Sequence, residues 1–266
     1  MTKEIACVLT FLFFLKELKS QETGRMETDR PDQTESPVIT KTNFLQGEIG
    51  FNYEKAFGLA TLVHPTALWK YGVAKRFEIR VITEIASIES PLVIPYGNKY
   101  DNGLLPIQIG GKLALTEEKK GLPKTSLIFH VAPNKLGSKK FRTSKWAPNF
   151  RFTMQHTLSE AVGLGYNLGA EWDGESGSPY WIYTIAPGFN IGKNWYAYIE
   201  LFGAVKNNEK PQHAADGGIA CYLSDNSKID LSGGIGLSKE SFDHYIAIGY
   251  SFRLNTKRKS KSSANK

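Results

Sequence analysis

The sequence predicts an all-β fold, an antiparallel transmembrane β-barrel of about twelve strands with a short irregular N-terminal segment. Polar and apolar residues alternate with a period of two in repeated runs. The longest runs have about eleven residues, which matches the ~9–11 residues that a tilted strand needs to cross a bilayer. The face opposite the apolar one carries glycine, Asn, Glu and Arg, which suits a wet interior better than a packed core.

The N-terminal region is predicted to contain two segments outside the barrel. Residues 1–20 resemble a secretory signal peptide, because Lys3 precedes an apolar run from Ile5 to Leu15. Residues 21–42 are polar, contain proline and show no periodicity. We expect this segment to lie in the periplasm or at the barrel mouth, where it can pair its charges with the barrel. The barrel itself is predicted to occupy residues 43–254.

The clearest alternation lies between Trp146 and Trp172, in two runs joined by a tight turn at 158–160. In the first run, apolar side chains such as Phe152 alternate with polar ones. In the second, the apolar face opposes glycines, Asn167 and a glutamate. This pattern predicts a hairpin of two membrane-length strands, with one face toward lipid and the other toward water.

Ten further runs repeat the alternation. They lie at residues 45–54, 66–73, 77–85, 107–115, 126–131, 180–190, 195–201, 214–223, 228–237 and 245–254. Every second connection of the predicted barrel lies at the same end. The even-numbered connections are mostly short, and they are 74–76, 117–124, 158–160, 192–194 and 224–227. The two longest connections, 88–103 and 133–145, lie at the other end. Short turns at one end and long loops at the other are typical of outer-membrane barrels.

Composition excludes several classes of function. The net charge of +7 could indicate nucleic-acid binding, but the basic residues are scattered until the tail at 255–266, which we expect to be solvated and disordered. Without the signal peptide only Cys221 remains, so no internal disulfide is expected. No spacing of Cys and His predicts a zinc site. We therefore expect no metal, no cofactor and no nucleic-acid partner.

Two stretches, 29–37 and 46–54, resemble the start of a family of outer-membrane transporter proteins. This family is grouped with the meta-pathway phenol-degradation proteins of Bacteroidetes-type bacteria. The resemblance implies a barrel in the bacterial outer membrane that passes small, often hydrophobic or aromatic, molecules by diffusion, and it supplies no catalytic residues. Its partners would be membrane lipid, the solute and the barrel-assembly machinery. The N-terminal motif residues are Asp29, Arg30, Pro31, Asp32, Gln33 and Glu35.

In a channel, the residues that face the lumen would set its local fields and hydration. Alternatively, charges of opposite sign pair with each other and plug the interior, since a barrel of about twelve strands falls between side-chain-filled barrels and open porins. The candidate lumen-lining residues are Glu48, Asn52, Glu54, Lys70, Glu78, Arg80, Glu84, Lys112, Arg151, Glu171 and Glu200.

Two other classes of function remain as alternatives. A lipid hydrolase in the barrel wall would need a nucleophile and a base in contact. His156 and Ser159 are near each other in sequence, but Ser159 lies in a predicted turn and no acidic partner is evident, so we do not expect an enzyme. A structural or receptor barrel would bind a partner through its loops, for example through the basic loop at 133–145.

Overall fold

The computed structural model describes residues 24–90 and 99–257. The predicted signal peptide, residues 1–20, and residues 258–266 of the predicted tail lie outside the described residues. Among the described residues, no helix has the length and apolar composition needed to span a membrane.

The described chain forms thirteen antiparallel strands in one sheet. Apart from β4 and β5, each strand pairs with its neighbour along the chain, and the last pairs with the first, so the sheet closes into a barrel. β4 and β5 both pair with β3 and share one wall position, which leaves twelve positions and confirms the predicted fold class. The strands are β1 (Phe44–Ala56), β2 (Leu59–Ala74), β3 (Phe77–Glu89), β4 (Tyr100–Leu104), β5 (Gln108–Thr116), β6 (Lys124–Ala132), β7 (Ala147–Thr157), β8 (Val162–Glu171), β9 (Tyr180–Ile191), β10 (Trp195–Val205), β11 (Gln212–Ser224), β12 (Ser227–Gly236) and β13 (His244–Asn255).

The two ends of the barrel differ. We call the end where β1 begins the turn end, and the opposite one the loop end. The connections at the turn end are 75–76, 117–123, 158–161, 192–194 and 225–226. Those at the loop end are 57–58, 90–99, 133–146, 172–179, 206–211 and 237–243. Apart from the tight turn at 57–58 at the loop end and the seven-residue connection 117–123 at the turn end, the longer connections lie at the loop end, as the parity of the sequence pattern predicts.

Two stretches are strand where the sequence pattern predicts none. β2 begins at Leu59, although Pro65 interrupts the alternation. Proline lacks an N–H for the ladder, and the pairing with β3 shifts register between Val63 and Thr66, which places the proline in a bulge. Within the predicted loop 88–103, the end of β3 pairs with β4. The Asp-Asn-Gly sequence of β4 has low β-propensity, so tertiary pairing alone identifies this strand.

Burial is inverted relative to a soluble protein. Apolar side chains such as Ile199 and Ile248 are 62% and 57% exposed on the outer face. In contrast, Glu78, Arg80 and Lys112 are fully buried inside the barrel at 0% exposure. A barrel wall with lipid outside and polar groups inside requires an apolar outer face and a polar inner face. The barrel is therefore a transmembrane one.

We expect Leu168→Arg to destabilise the barrel by about 2–4 kcal/mol, the cost of a charge on the lipid face near the middle of a bilayer. Leu168 is 55% exposed on the outer face of β8. Leu158→Arg is the matched control, because Leu158 is 61% exposed in the 158–161 turn and an arginine there can reach water. Urea unfolding in lipid vesicles would measure both; equal losses would contradict the assignment of the outer face.

Candidate functional site: a plugged lumen

Residues 24–43, which we call the plug, fold back into the barrel and cross its lumen. The plug enters at the turn end, where the N–H of Met26 donates to the carbonyl of Asp225 at 2.9 Å. It leaves at the same end, where Asn43 donates to the carbonyl of Gly72 at 2.8 Å and leads into β1. Between these points it forms no regular secondary structure. Because the plug lacks the hydrogen bonds of a helix or strand, its backbone N–H and carbonyl groups pair with side chains of the barrel wall.

Two glycines of the wall let the plug approach closely. Gly50 and Gly249 are directly paired on β1 and β13, and the guanidinium of Arg30 lies over both, inside the space that a Cβ would occupy. From there Arg30 donates to Asp230 on β12 at 2.9 Å. A larger side chain at either glycine would displace the arginine. These lumen glycines thus make room for the guanidinium of Arg30.

Asp29 is the charge centre of the plug. Its carboxylate accepts from Lys70 on β2 at 2.9 Å, from Arg80 on β3 at 2.8 Å and from Lys112 on β5 at 3.0 Å. Asp29 is 6% exposed and the three cations are at most 2% exposed. Three buried cations on neighbouring wall strands therefore share one carboxylate that the wall itself does not supply. The N–H of Ser36 also donates to Asp29 at 3.0 Å and folds the plug back on itself.

A second set of contacts holds the plug backbone. The N–H groups of Asp29 and Arg30 both donate to the carboxylate of Glu48 on β1 at 3.0 Å. That carboxylate also pairs with Lys70 at 2.5 Å. On β3, the N–H of Thr40 donates to Glu78 at 2.5 Å. Acidic wall residues therefore neutralise the wall cations and also bind the plug backbone.

The far side of the plug is held by β8, β9 and β10. Glu200 accepts from the N–H of Gln33 at 2.7 Å and from the hydroxyl of Thr34 at 2.5 Å. Thr34 also contacts the hydroxyl of Thr184 at 2.6 Å. Asn167 binds the backbone of the next plug residue through both its amide oxygen and its amide nitrogen. The plug is thus attached to opposite walls of the barrel.

Glu35 connects the plug to two arginines. It accepts from Arg80 at 2.5 Å, and Arg151 on β7 lies 3.8 Å from it. Arg151 also donates to the carbonyl of Gln33 at 2.8 Å and pairs with Glu171 at 2.8 Å. The carboxylate of Glu35 is therefore bound by arginines from two strands of the wall.

The sequence-predicted residues fall into two groups. Six are nearly fully buried and touch the plug or its partners: Glu48, Lys70, Glu78, Arg80, Lys112 and Glu200. Asn52, Glu54, Arg151 and Glu171 lie nearer the loop end, and Glu84 bonds to Thr66. The motif residues Asp29, Arg30, Pro31, Asp32, Gln33 and Glu35 all lie in the plug. Contact of any of these residues with a passing solute stays a prediction.

Several plug partners are absent from the predicted set. Lys228 donates to the carbonyl of Arg30 at 2.6 Å and contacts Thr28. Ser126 donates to the carbonyl of Pro37 at 2.6 Å. Both occupy the polar face of their predicted runs, so parity was the signal that could have found them. What parity does not reveal is which polar residues on that face the plug reaches.

The plug separates two cavities. The turn-end cavity, of about 120 Å³, is lined by plug residues with Gly163, Asn190 and Lys228. The loop-end cavity, of about 280 Å³, is lined by residues near the other ends of the strands, among them Glu54 and Phe202. A solute that crosses the barrel along its axis would have to pass the plug between them.

Lys206 ties two loops together at the loop-end rim of the barrel. Its ammonium lies 3.5 Å from Asp173 in the 172–179 loop and 3.0 Å from Glu209 in its own loop. Partial burial raises the pKa of Asp173, but hydrogen bonds from the N–H groups of Glu175 and Ser176 and from the Ser176 hydroxyl outweigh it and lower this pKa to about 2. The carboxylate therefore stays charged and keeps the tie at neutral pH.

The hydrolase arrangement considered above does not assemble among these residues. The hydroxyl of Ser159 accepts from the N–H groups of Ala161 and Val162 at 3.2 Å and 3.0 Å, which stabilises the turn. The His156 ring bonds instead to the Tyr166 hydroxyl at 3.2 Å. A serine without a base in contact is not activated as a nucleophile.

We expect Asp29→Asn to release the plug, because it leaves three buried cations without their shared carboxylate, at a cost of about 3–5 kcal/mol. Hydrogen exchange of the N–H groups of residues 29–35, apart from Pro31, would measure the release and should accelerate by at least about a hundred-fold. The control is Asp101→Asn, which breaks an exposed ion pair with Lys140 worth about 0–1 kcal/mol. Unchanged exchange in Asp29→Asn would contradict the role of Asp29.

The rim tie should depend on pH. Because the folded pKa of Asp173, about 2, is below its ordinary value of 3.8, its stabilising contribution is full above the ordinary value and is lost as pH falls toward 2. NMR titration of the Ser176 amide in micelles should show this loss, and Asp173→Asn should abolish it. A midpoint at the ordinary value would show that the loop does not hold the carboxylate.

Solved structures with the same fold are outer-membrane proteins. An outer-membrane channel from Pseudomonas putida F1 has a TM-score of 0.62 and 8% identity, covering 82% of this chain and 97% of that one. The NanC porin has a TM-score of 0.53 and 9% identity, covering 79% and 100%. The KdgM porin has a TM-score of 0.52 and 9% identity, covering 77% and 98%. At sequence identities this low, the structural likeness establishes the fold alone. No curated protein matches the sequence.

The family model for the MetA-pathway of phenol degradation matches residues 28–254. The match begins within the plug and ends near the end of β13, so it includes the motif that carries the resemblance noted in the sequence. It covers most of the chain and confirms that resemblance. This chain belongs to the family of the MetA-pathway of phenol degradation.

Proposed function

We propose that the protein is an outer-membrane channel for passive diffusion of small, hydrophobic or aromatic solutes, with the plug as the barrier on the path. The observation that carries the proposal is the pair of cavities on opposite sides of a plug with no regular secondary structure. A barrel whose interior served only as a structural core would have no need of an entry cavity at each end.

The plug is suited to be a movable barrier. It is held by hydrogen bonds and ion pairs to wall side chains, and the barrel backbone is paired without it. Displacing the plug would therefore leave the strand ladders intact. The ion pairs would exchange their partners for water entering the lumen, which lowers the cost of opening relative to a dry interior.

The solved channels and porins support the proposal because they share this fold. Two of them, the P. putida channel and the NanC porin, are pores. We infer further that the protein is not an enzyme, since Ser159 and His156 are separately engaged. Membrane lipid and the barrel-assembly machinery are the partners that a transmembrane barrel of this kind requires.

A disulfide across the plug would test the proposal. The hydroxyls of Thr34 and Thr184 lie 2.6 Å apart, so Thr34→Cys with Thr184→Cys should form a bond without large rearrangement. In a Cys221→Ser background, we expect single-channel steps and solute-driven liposome swelling in the reduced protein. Oxidation should abolish both, because the plug is then fixed to the wall.

The two single-cysteine variants are the controls and should be insensitive to oxidant. Steps that persist after complete oxidation would show that solutes do not need the plug to move. Reduced protein that folds, by heat-modifiable mobility, and yet gives neither steps nor swelling would contradict the channel itself.

A further inference from the structure

We propose that the loop-end cavity is a binding site for a small organic cation, an ammonium group carried on an aromatic or alkyl body. The inference rests on the proposed function only for its place on the solute path, since binding is measurable without transport. It names the class of solute that the cavity selects. Three features of the lining support it: a cluster of aromatic rings, a buried amide oxygen without a donor, and a carboxylate without a basic partner.

The aromatic part of the lining is a three-ring cluster inside the barrel. Phe202 and Phe242 stack with ring centroids 6.2 Å apart at 21°, and Tyr245 meets Phe242 edge-on at 5.7 Å. All three line the cavity. Phe202 and Tyr245 lie on the inner wall, and Phe242 reaches them from the 237–243 loop. Their ring faces attract cations and also offer apolar contact to an organic body.

Two acceptors on β1 lack donors at the polar part of the lining. Asn52 lines the cavity, and its amide oxygen is buried without a hydrogen-bond donor. Glu54 follows on the same face of β1 and also lines the cavity. Its carboxylate has no hydrogen bond or ion pair within residues 24–90 and 99–257. A buried acceptor without a donor is costly, so a ligand that brings N–H donors and positive charge would satisfy this wall.

The one cation on the lining does not compete for this role. Arg151 lies on β7, across the barrel from β1, and pairs with Glu171 and Glu35. Glu171 also lines the cavity, so the lining carries two carboxylates and one guanidinium, a net charge of −1. The uncompensated charge belongs to Glu54. An anionic ligand would meet that charge, and a neutral one would leave it unpaired.

Calorimetric titration of the full mature chain in non-ionic detergent would test the site with three probes of similar shape. These are 2-phenylethylammonium, neutral 2-phenylethanol and anionic 3-phenylpropionate. We expect the ammonium to bind about ten-fold more tightly than the alcohol, as a carboxylate and π faces together would give. The anion should bind more weakly than either.

Two variants separate the contribution of the Glu54 carboxylate to binding from that of the aromatic rings. Glu54→Gln keeps the shape of the side chain and should lower the ammonium affinity about ten-fold, while leaving that of the alcohol unchanged. Phe242→Leu should weaken both. Glu160→Gln, a matched change in the exposed 158–161 turn, is the control and should alter neither. Heat-modifiable mobility would verify that each variant folds.

Each other outcome overturns the proposal. Equal affinity for the three probes, no binding of any, or equal effects of Glu54→Gln and Glu160→Gln would show that the cavity does not select a cation. The result is independent of the channel. Ammonium selectivity without conductance would retain the site and reject the channel, whereas conductance without selectivity would do the reverse.

Discussion

Closure of the sheet between β1 and β13 is the constraint on which the rest of the structure depends. Within a bilayer every backbone N–H and carbonyl must be paired inside the protein, and a closed barrel achieves this without an edge. The pairing from Phe44 to Lys55 along β13 completes the ring. Because the backbone is satisfied by the wall alone, the side chains of the inner face are free to be charged, which a packed soluble core would not tolerate.

Charges on the inner face then create a second requirement, since Lys70, Arg80 and Lys112 are buried side by side. Glu48 and Glu78 offset two of these three charges, and the plug offsets the third through Asp29. The interior is therefore neutralised by a segment that is not part of the wall. Such a segment can leave the lumen without breaking the pairing between strands. A barrel that the plug blocks can therefore still open for a solute.

The plug also divides the lumen into chemically different spaces. The turn-end cavity is bordered by the plug itself, and its lining includes Arg25 and Lys228. The loop-end cavity combines Phe202, Phe242 and Glu54. A solute would thus meet aromatic rings and a free carboxylate first from the loop end, and after the plug a surface whose three basic and three acidic side chains balance. The two ends of the lumen therefore offer a solute different chemical groups.

The sequence by itself determined the barrel. Period-two alternation assigned Phe152 and Leu168 to lipid and Arg151 and Asn167 to the interior, because consecutive side chains of a strand point to opposite faces. Only the tertiary structure decided where the plug lies and which charges it joins, since Asp29 meets Lys112 across 83 residues. It also revealed β4 and the strand around Pro65, where pairing with β3 overrides local propensity. Alternation is a local property of one strand, whereas partners across a lumen are fixed by closure of the whole sheet.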